Sequence, residues 1–238
     1  GNNRDGVWHE TGVITSFEKS DLTPRWRKPI GTGYSSPTVA KGKVMLMDFD
    51  EANQNESVKC FDAKTGDSLW SHTYHSEYRI SYTAGPRAAV TIVGDRAFCL
   101  GAMGRLHCLN VHDGAVMWEK DLDGIYQVSA DRRMPIWGIT SSPIAVGENL
   151  IIQLGAKEAA VVALNQTTGD EVWRSLTDRG QYSSPVLVKQ NGADVLICWT
   201  GDGVAGLNPK TGTPYWQHPF KPTRMPIGVA TPVVHGNK

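Results

Sequence analysis

Short apolar runs broken by polar turns recur along this chain, and one stretch sets the pattern. Residues 162–164 are apolar and stop at Asn165. Gln166-Thr167-Thr168-Gly169 follows, then a second short run that carries Trp173. The middle segment is turn chemistry, with Gly169 suited to a left-handed backbone, so the stretch predicts a hairpin. Three other copies are present, with Asp62, Gly66 and Trp70, with Asn110, Gly114 and Trp118, and with Asn208, Gly212 and Trp216. In every copy Asp or Asn stands four residues before Gly, and Trp four after it. Trp26 continues the series at the front without its turn. From Trp26 to Trp216 the spacing averages about 47 residues, a propeller-blade length.

A second mark falls between the tryptophans. Ser35-Ser36-Pro37, Ser141-Ser142-Pro143 and Ser183-Ser184-Pro185 each open an apolar run, Ala230-Thr231-Pro232 is a weaker copy, and Arg87-Ala88-Ala89-Val90 fills the slot in the remaining repeat. A further apolar run follows each slot, at residues 44–47, 97–100, 150–154 and 195–199. Each repeat therefore predicts four strands, A to D, with Trp on D. The fold class expected is all-β: a β-propeller of four-stranded antiparallel blades. Complete blades are expected over residues 37–72, 88–121, 142–176 and 184–218. Residues 25–30 are expected as a lone D strand and 231–234 as the start of another A strand. The domain division is an N-terminal arm over 1–24 and a propeller domain over 25–238. A D strand at the front and an A strand at the back suggest part of a larger ring, with a closed four-bladed ring as the alternative.

The Leu/Phe-(Asp/Asn)-x-x-(Thr/Asp)-Gly-x-x-x-Trp repeat resembles the tryptophan-docking motif of the pyrroloquinoline-quinone (PQQ)-type propellers. That group includes quinoprotein dehydrogenases and non-enzymatic relatives such as the BamB-like outer-membrane assembly factors. The segments Asn3-Arg4-Asp5-Gly6-Val7-Trp8, Gly85-Pro86-Arg87-Ala88 and Pro135-Ile136-Trp137-Gly138 resemble PQQ-like repeat proteins of planctomycete-type bacteria. The resemblance implies seven or eight blades in the intact ring, so that the other half of the propeller would be a partner of this one. It also implies a periplasmic or otherwise extracytoplasmic location. It does not fix function, which lies in sites carried by the fold.

Composition narrows the partners. Lys plus Arg is 24 and Asp plus Glu is 24, so no net charge draws the chain to nucleic acid. No apolar run reaches transmembrane length. Cys60, Cys99, Cys108 and Cys198 form no C-x-x-C pair, and the first and third share a repeat slot with Ala163 and Gly206, so they read as small buried residues. No G-x-S-x-G, H-E-x-x-H or phosphate-loop motif occurs, and no catalytic or metal-binding residue is assigned. The acidic stretch 48–56 has oxygen donors at alternate positions. Ala52 falls where a calcium loop needs a ligand, and the stretch reads as a solvated hairpin tip.

The tryptophans Trp26, Trp70, Trp118, Trp173 and Trp216 are expected to pack blade against blade, each indole N–H on a carbonyl of the next blade. Ligand contacts are expected elsewhere. In a propeller the segments leading into the A strands converge on one mouth, and these hold Tyr34, Arg87 and Tyr182. The long connections 72–87 and 119–140 add Tyr82, Arg133 and Trp137, and charged aromatic loops on a rigid scaffold suit binding. The expected ligand is a protein, peptide or carbohydrate held in this funnel. The alternatives are that these loops only plug the channel, that PQQ with calcium serves an alcohol or sugar dehydrogenase, or that the chain is a BamB-like assembly factor.

Overall fold

The computed structural model describes residues 11–12, 16–18, 23–78, 85–221 and 227–234, and these form sixteen strands and one short helix. The strands make four antiparallel sheets of four, here called blades. Blade 1 holds β1 (Thr38–Ala40), β2 (Lys43–Asp50), β3 (Asn55–Asp62) and β4 (Ser68–His75). Blade 2 holds β5 (Thr91–Val93), β6 (Arg96–Leu100), β7 (Arg105–Asn110) and β8 (Val116–Asp121), followed by helix α1 (Leu122–Tyr126). Blade 3 holds β9 (Ile144–Val146), β10 (Asn149–Ala156), β11 (Ala159–Asn165) and β12 (Glu171–Ser175). Blade 4 holds β13 (Val186–Gln190), β14 (Ala193–Trp199), β15 (Gly203–Leu207) and β16 (Pro214–Pro219). Strands pair in chain order, as successive hairpins must.

The core lies between the blades. The two middle strands of each blade are largely buried, and β11 is buried along all but its last residue. The outermost strand is mostly exposed, and in β12 the one fully buried side chain is Trp173. Met45, Met47 and Val58 of blade 1 pack on Ala97, Cys99 and Leu109 of blade 2. Phe98 and Leu106 then meet Ile152 and Val162, and Ile151 and Ala163 meet Leu196 and Leu207. All four cysteines are buried and unpaired within this packing.

The repeated hairpin holds these interfaces together. The Trp70 indole donates to Val111 O (3.0 Å), Trp118 to Gln166 O (3.1 Å) and Trp173 to Pro209 O (3.2 Å), each in the next blade. The acceptor always follows the motif Asp or Asn directly. That residue's own side chain caps the turn, as Asn165 Oδ1 does for the N–H groups of Thr167 and Thr168. The turn glycine lies beneath the ring. Gly114 sits at φ +75°, and a Cβ there would fall 2.6 Å from Trp70 Cε3. A side chain at that point would lift the indole off its acceptor.

At the inner edge the serine slots bind neighbouring blades. Ser142 Oγ accepts from Ala89 N (2.9 Å), Ser184 Oγ accepts from Ser142 N (3.0 Å), and Ser35 Oγ donates to Ala88 O (2.9 Å). These hydroxyls satisfy backbone groups that have no ladder partner.

Five expectations change. The Trp216 indole, expected on a carbonyl of the next blade, donates instead to Gln190 Oε1 (3.3 Å) of its own blade, because no described blade lies beyond β16. Residues 25–30 form no strand, because no described C strand lies beside them, yet the Trp26 indole still reaches Ala63 O (3.1 Å) and covers Gly66. Residues 231–234 are likewise unpaired. The connection after β8 contains α1, started by Asp121, whose carboxylate accepts from Gly124 N. The acidic stretch is not a solvated tip throughout: Asp48 is buried against Lys59 and Gly31 N, and Glu56 is buried against the hydroxyls of Tyr74 and Tyr78 and Ala102 N. Most of the 1–24 arm lies outside the described residues.

Candidate functional site

On the face where the connections between blades emerge, four of the expected site residues form a continuous series. The Tyr34 ring lies under the Arg87 guanidinium at 4.6 Å, a cation–π contact. Arg87 Nη1 donates to Gly85 O (3.0 Å) and to Trp137 O (3.5 Å). Trp137 in turn packs on Tyr182, with ring centroids 4.7 Å apart. The series thus crosses the segments that lead into β1, β5, β9 and β13. Tyr34 N donates to Pro86 O (2.8 Å), which fixes the first pair. Burial pushes the Tyr182 phenol above its usual range, and hydrogen bonding to the backbone at Trp137 and Ile136 opposes this.

Beyond Tyr182 the surface opens into a cleft of about 450 Å³ between the connection before β9, the segment before β13 and the turn after β14. Arg133 lies here, apart from the Arg87 series. Its Nε donates to Gly155 O (2.8 Å) and its Nη2 to Thr177 O (2.6 Å). The backbone is close-packed below it: a Cβ on Gly155, at φ +80°, would fall 2.1 Å from Gly180 N. Tyr182 N and Ser183 N both donate to Gly228 O (3.0 Å each), and Gly201 N donates to Arg179 O (2.8 Å). The cleft walls are therefore tied on both sides. Tyr82, and Arg79 beside it, lie outside the described residues.

Arg179 and Lys221 also line this cleft and were not singled out from the sequence. Arg179 had a signal, since Arg179-Gly180-Gln181-Tyr182 leads into an A strand as Gly85-Pro86-Arg87 does. Lys221 had none: it reaches the site only because β16 ends beside the turn after β14.

Residues 54–238 match the family of the outer membrane protein assembly factor BamB. The chain belongs to this PQQ-like repeat family. The BamB protein of Burkholderia pseudomallei (strain K96243) is 28% identical over 226 residues, covering 91% of this chain and 50% of that protein. The chain thus spans about half the length of this BamB relative. Among solved structures, BamB from Moraxella catarrhalis superposes with a TM-score of 0.51 at 16% identity, over 84% of this chain and 54% of that one. A europium-containing methanol dehydrogenase superposes with a TM-score of 0.60 at 14% identity, over 83% of this chain and 45% of that one. At these identities the superpositions establish the shared propeller fold.

The described residues of this cleft do not suit a quinone with calcium. Calcium takes six to eight oxygen ligands, several of them carboxylates. The described cleft offers Asp202 alone, with Arg133, Arg179 and Lys221 around it. The buried carboxylates Asp48 and Glu56 are committed to their own partners. Among the described residues no group of three His, Cys, Asp or Glu is placed to hold a metal. No described helix is long and apolar enough to cross a membrane.

Proposed function

We propose that this chain is a non-catalytic binding propeller of the BamB type, part of an outer membrane protein assembly factor working outside the cytoplasm. It holds unfolded polypeptide on the face that carries Tyr34, Arg87, Trp137 and Tyr182, with Arg133 in the adjoining cleft. One observation carries this reading. Tyr34, Arg87, Trp137 and Tyr182 form a single series across the four described blades, its middle link being the Arg87 guanidinium on the Trp137 backbone carbonyl, on a chain that matches an assembly-factor family over residues 54–238. Aromatic and Arg side chains are the usual anchors of protein recognition. In the same reading Trp216 docks into the turn of a further blade in the intact protein.

The test is to dilute a urea-unfolded outer membrane barrel protein into buffer with this protein and follow aggregation by light scattering. The wild type is expected to suppress aggregation. Trp137→Ala should lose at least about tenfold in apparent affinity, the size expected for a buried aromatic anchor, with little change in thermal stability. Equal suppression by Trp137→Ala would contradict the proposal. So would saturable PQQ uptake with calcium, accompanied by dye-linked alcohol oxidation.

A further inference from the structure

Charge is unevenly distributed in the cleft. Among the described lining residues, Arg133, Arg179 and Lys221 face one carboxylate, that of Asp202, although the whole chain is neutral. The cations differ in how they are held. Arg133 is fixed by two carbonyls, with its remaining guanidinium nitrogen left for another acceptor. Arg179 is exposed and its Nη1 touches only Arg132 O (3.3 Å). Lys221 meets Asp202 at 3.4 Å with the side chains 66% and 49% exposed, a contact worth little in water and readily exchanged for an incoming carboxylate. The remaining wall is apolar, from Met134, Pro135, Ile136 and Ile227. One non-glycine residue next to the cleft, Arg132 (φ 55°), holds left-handed backbone. Such strain persists where surrounding contacts over-determine it.

We infer that this cleft takes an extended acidic peptide segment, with carboxylates meeting Arg179 and Lys221 and intervening apolar side chains meeting the Met134 to Ile136 wall. The inference rests on the polypeptide-binding reading above and adds the chemistry of the segment. An extended chain places successive side chains on opposite sides, so alternating acidic and apolar residues can serve both walls. The cleft volume of about 450 Å³ suits a short segment rather than a folded domain. A polysulfated sugar would satisfy the cations but leave the apolar wall unused.

The test measures fluorescence anisotropy of the full chain with a fluorescein-labelled peptide of alternating Glu and Leu. Matched peptides carry Gln for Glu, Lys for Glu, or Ser for Leu. The Glu–Leu peptide is expected to bind about three- to tenfold more tightly than each of the others, the size of two exposed charge contacts against the Gln peptide and of apolar burial against the Ser peptide. The double variant Arg179→Glu, Lys221→Glu should remove that advantage, leaving the Gln–Leu peptide unchanged. Both side chains are exposed, and circular dichroism and the melting temperature confirm folding of the variant. Equal binding of the Glu and Gln peptides, or an unchanged double variant, would overturn the inference. Equal binding of the Glu–Ser peptide, with displacement by dextran sulfate, would show a bare anion site and overturn it too. If the unfolded outer membrane protein still binds in those cases, only the acidic preference fails. If neither it nor any peptide binds, the polypeptide reading fails as well.

Discussion

At the residue scale, two positions give sharp expectations. Gly114 and Gly94 both hold left-handed backbone, at φ +75° and +56°, but only Gly114 lies under an indole. Nothing stands within 4 Å of a Cβ at Gly94. Gly94→Ala should cost about 1 kcal/mol, the conformational penalty alone. Gly114→Ala adds the displacement of Trp70 and should cost about 2–4 kcal/mol by urea denaturation. The second position is His107, buried between blades 1 and 2 beside His72, Tyr74 and Arg105, with Glu119 3.4 Å from Nε2. Burial, His72 and Arg105 push its pKa down to about 4. The folded state therefore binds fewer protons than the unfolded chain, and stability falls as pH drops from about 6.5 towards 4. Between pH 7.5 and 5 the loss is about 2 kcal/mol in magnitude. Glu56 has the opposite sign, since burial raises its pKa. The comparison of wild type with His107→Gln isolates the histidine: the variant should show a shallower fall in urea midpoint over that range, and an identical fall would contradict the assignment.

At the scale of the element, the repeated hairpin governs the blade interface, and its copies are not equal. Trp118 reaches into blade 3, whereas Trp216 is partly exposed and donates to Gln190 Oε1 (3.3 Å) of its own blade. Trp118→Ala should cost about 2–3 kcal/mol, from a partly buried ring packed on the core of blades 2 and 3 and a lost hydrogen bond between blades. Trp216→Ala should cost under about 1 kcal/mol. Equal losses in chemical denaturation would contradict the docking scheme. The hairpin was legible in the sequence because it combines a left-handed glycine, a capping Asx and a large apolar ring at fixed spacing. Each of those is a local requirement. The serine slots were visible as a repeat but not as blade-to-blade stitching, because their partners lie about one blade away in sequence. Helix α1 was missed because a five-residue helix has no hydrophobic period, although Asp121 supplied a capping signal. The unpaired segments 25–30 and 231–234 were mistaken for strands because strand identity depends on a neighbour, which local pattern does not report.

For the molecule as a whole, the four described blades are not joined into a closed ring by the docking device among the described residues. The turn of blade 1 is covered by Trp26, and Trp216 turns back to its own sheet. The aromatic and cationic series was legible as a set of convergent positions, since every repeat leads into its A strand at the same end. The division of that set was not. Arg87 joins Tyr34 and Trp137, while Arg133 joins Arg179 and Lys221 in the neighbouring cleft. That partition depends on which connection folds over which blade. The claim on which the functional account depends is that polypeptide is held at this face and not along the outer strands. Hydrogen exchange of the chain, with and without saturating urea-unfolded outer membrane protein, tests it most directly. The account predicts slowed exchange at residues 133–137, 179–182 and 200–203, with the outer turns at 63–66 and 111–114 unchanged. Protection confined to those outer turns, with the cleft segments exchanging as in the free protein, would contradict it.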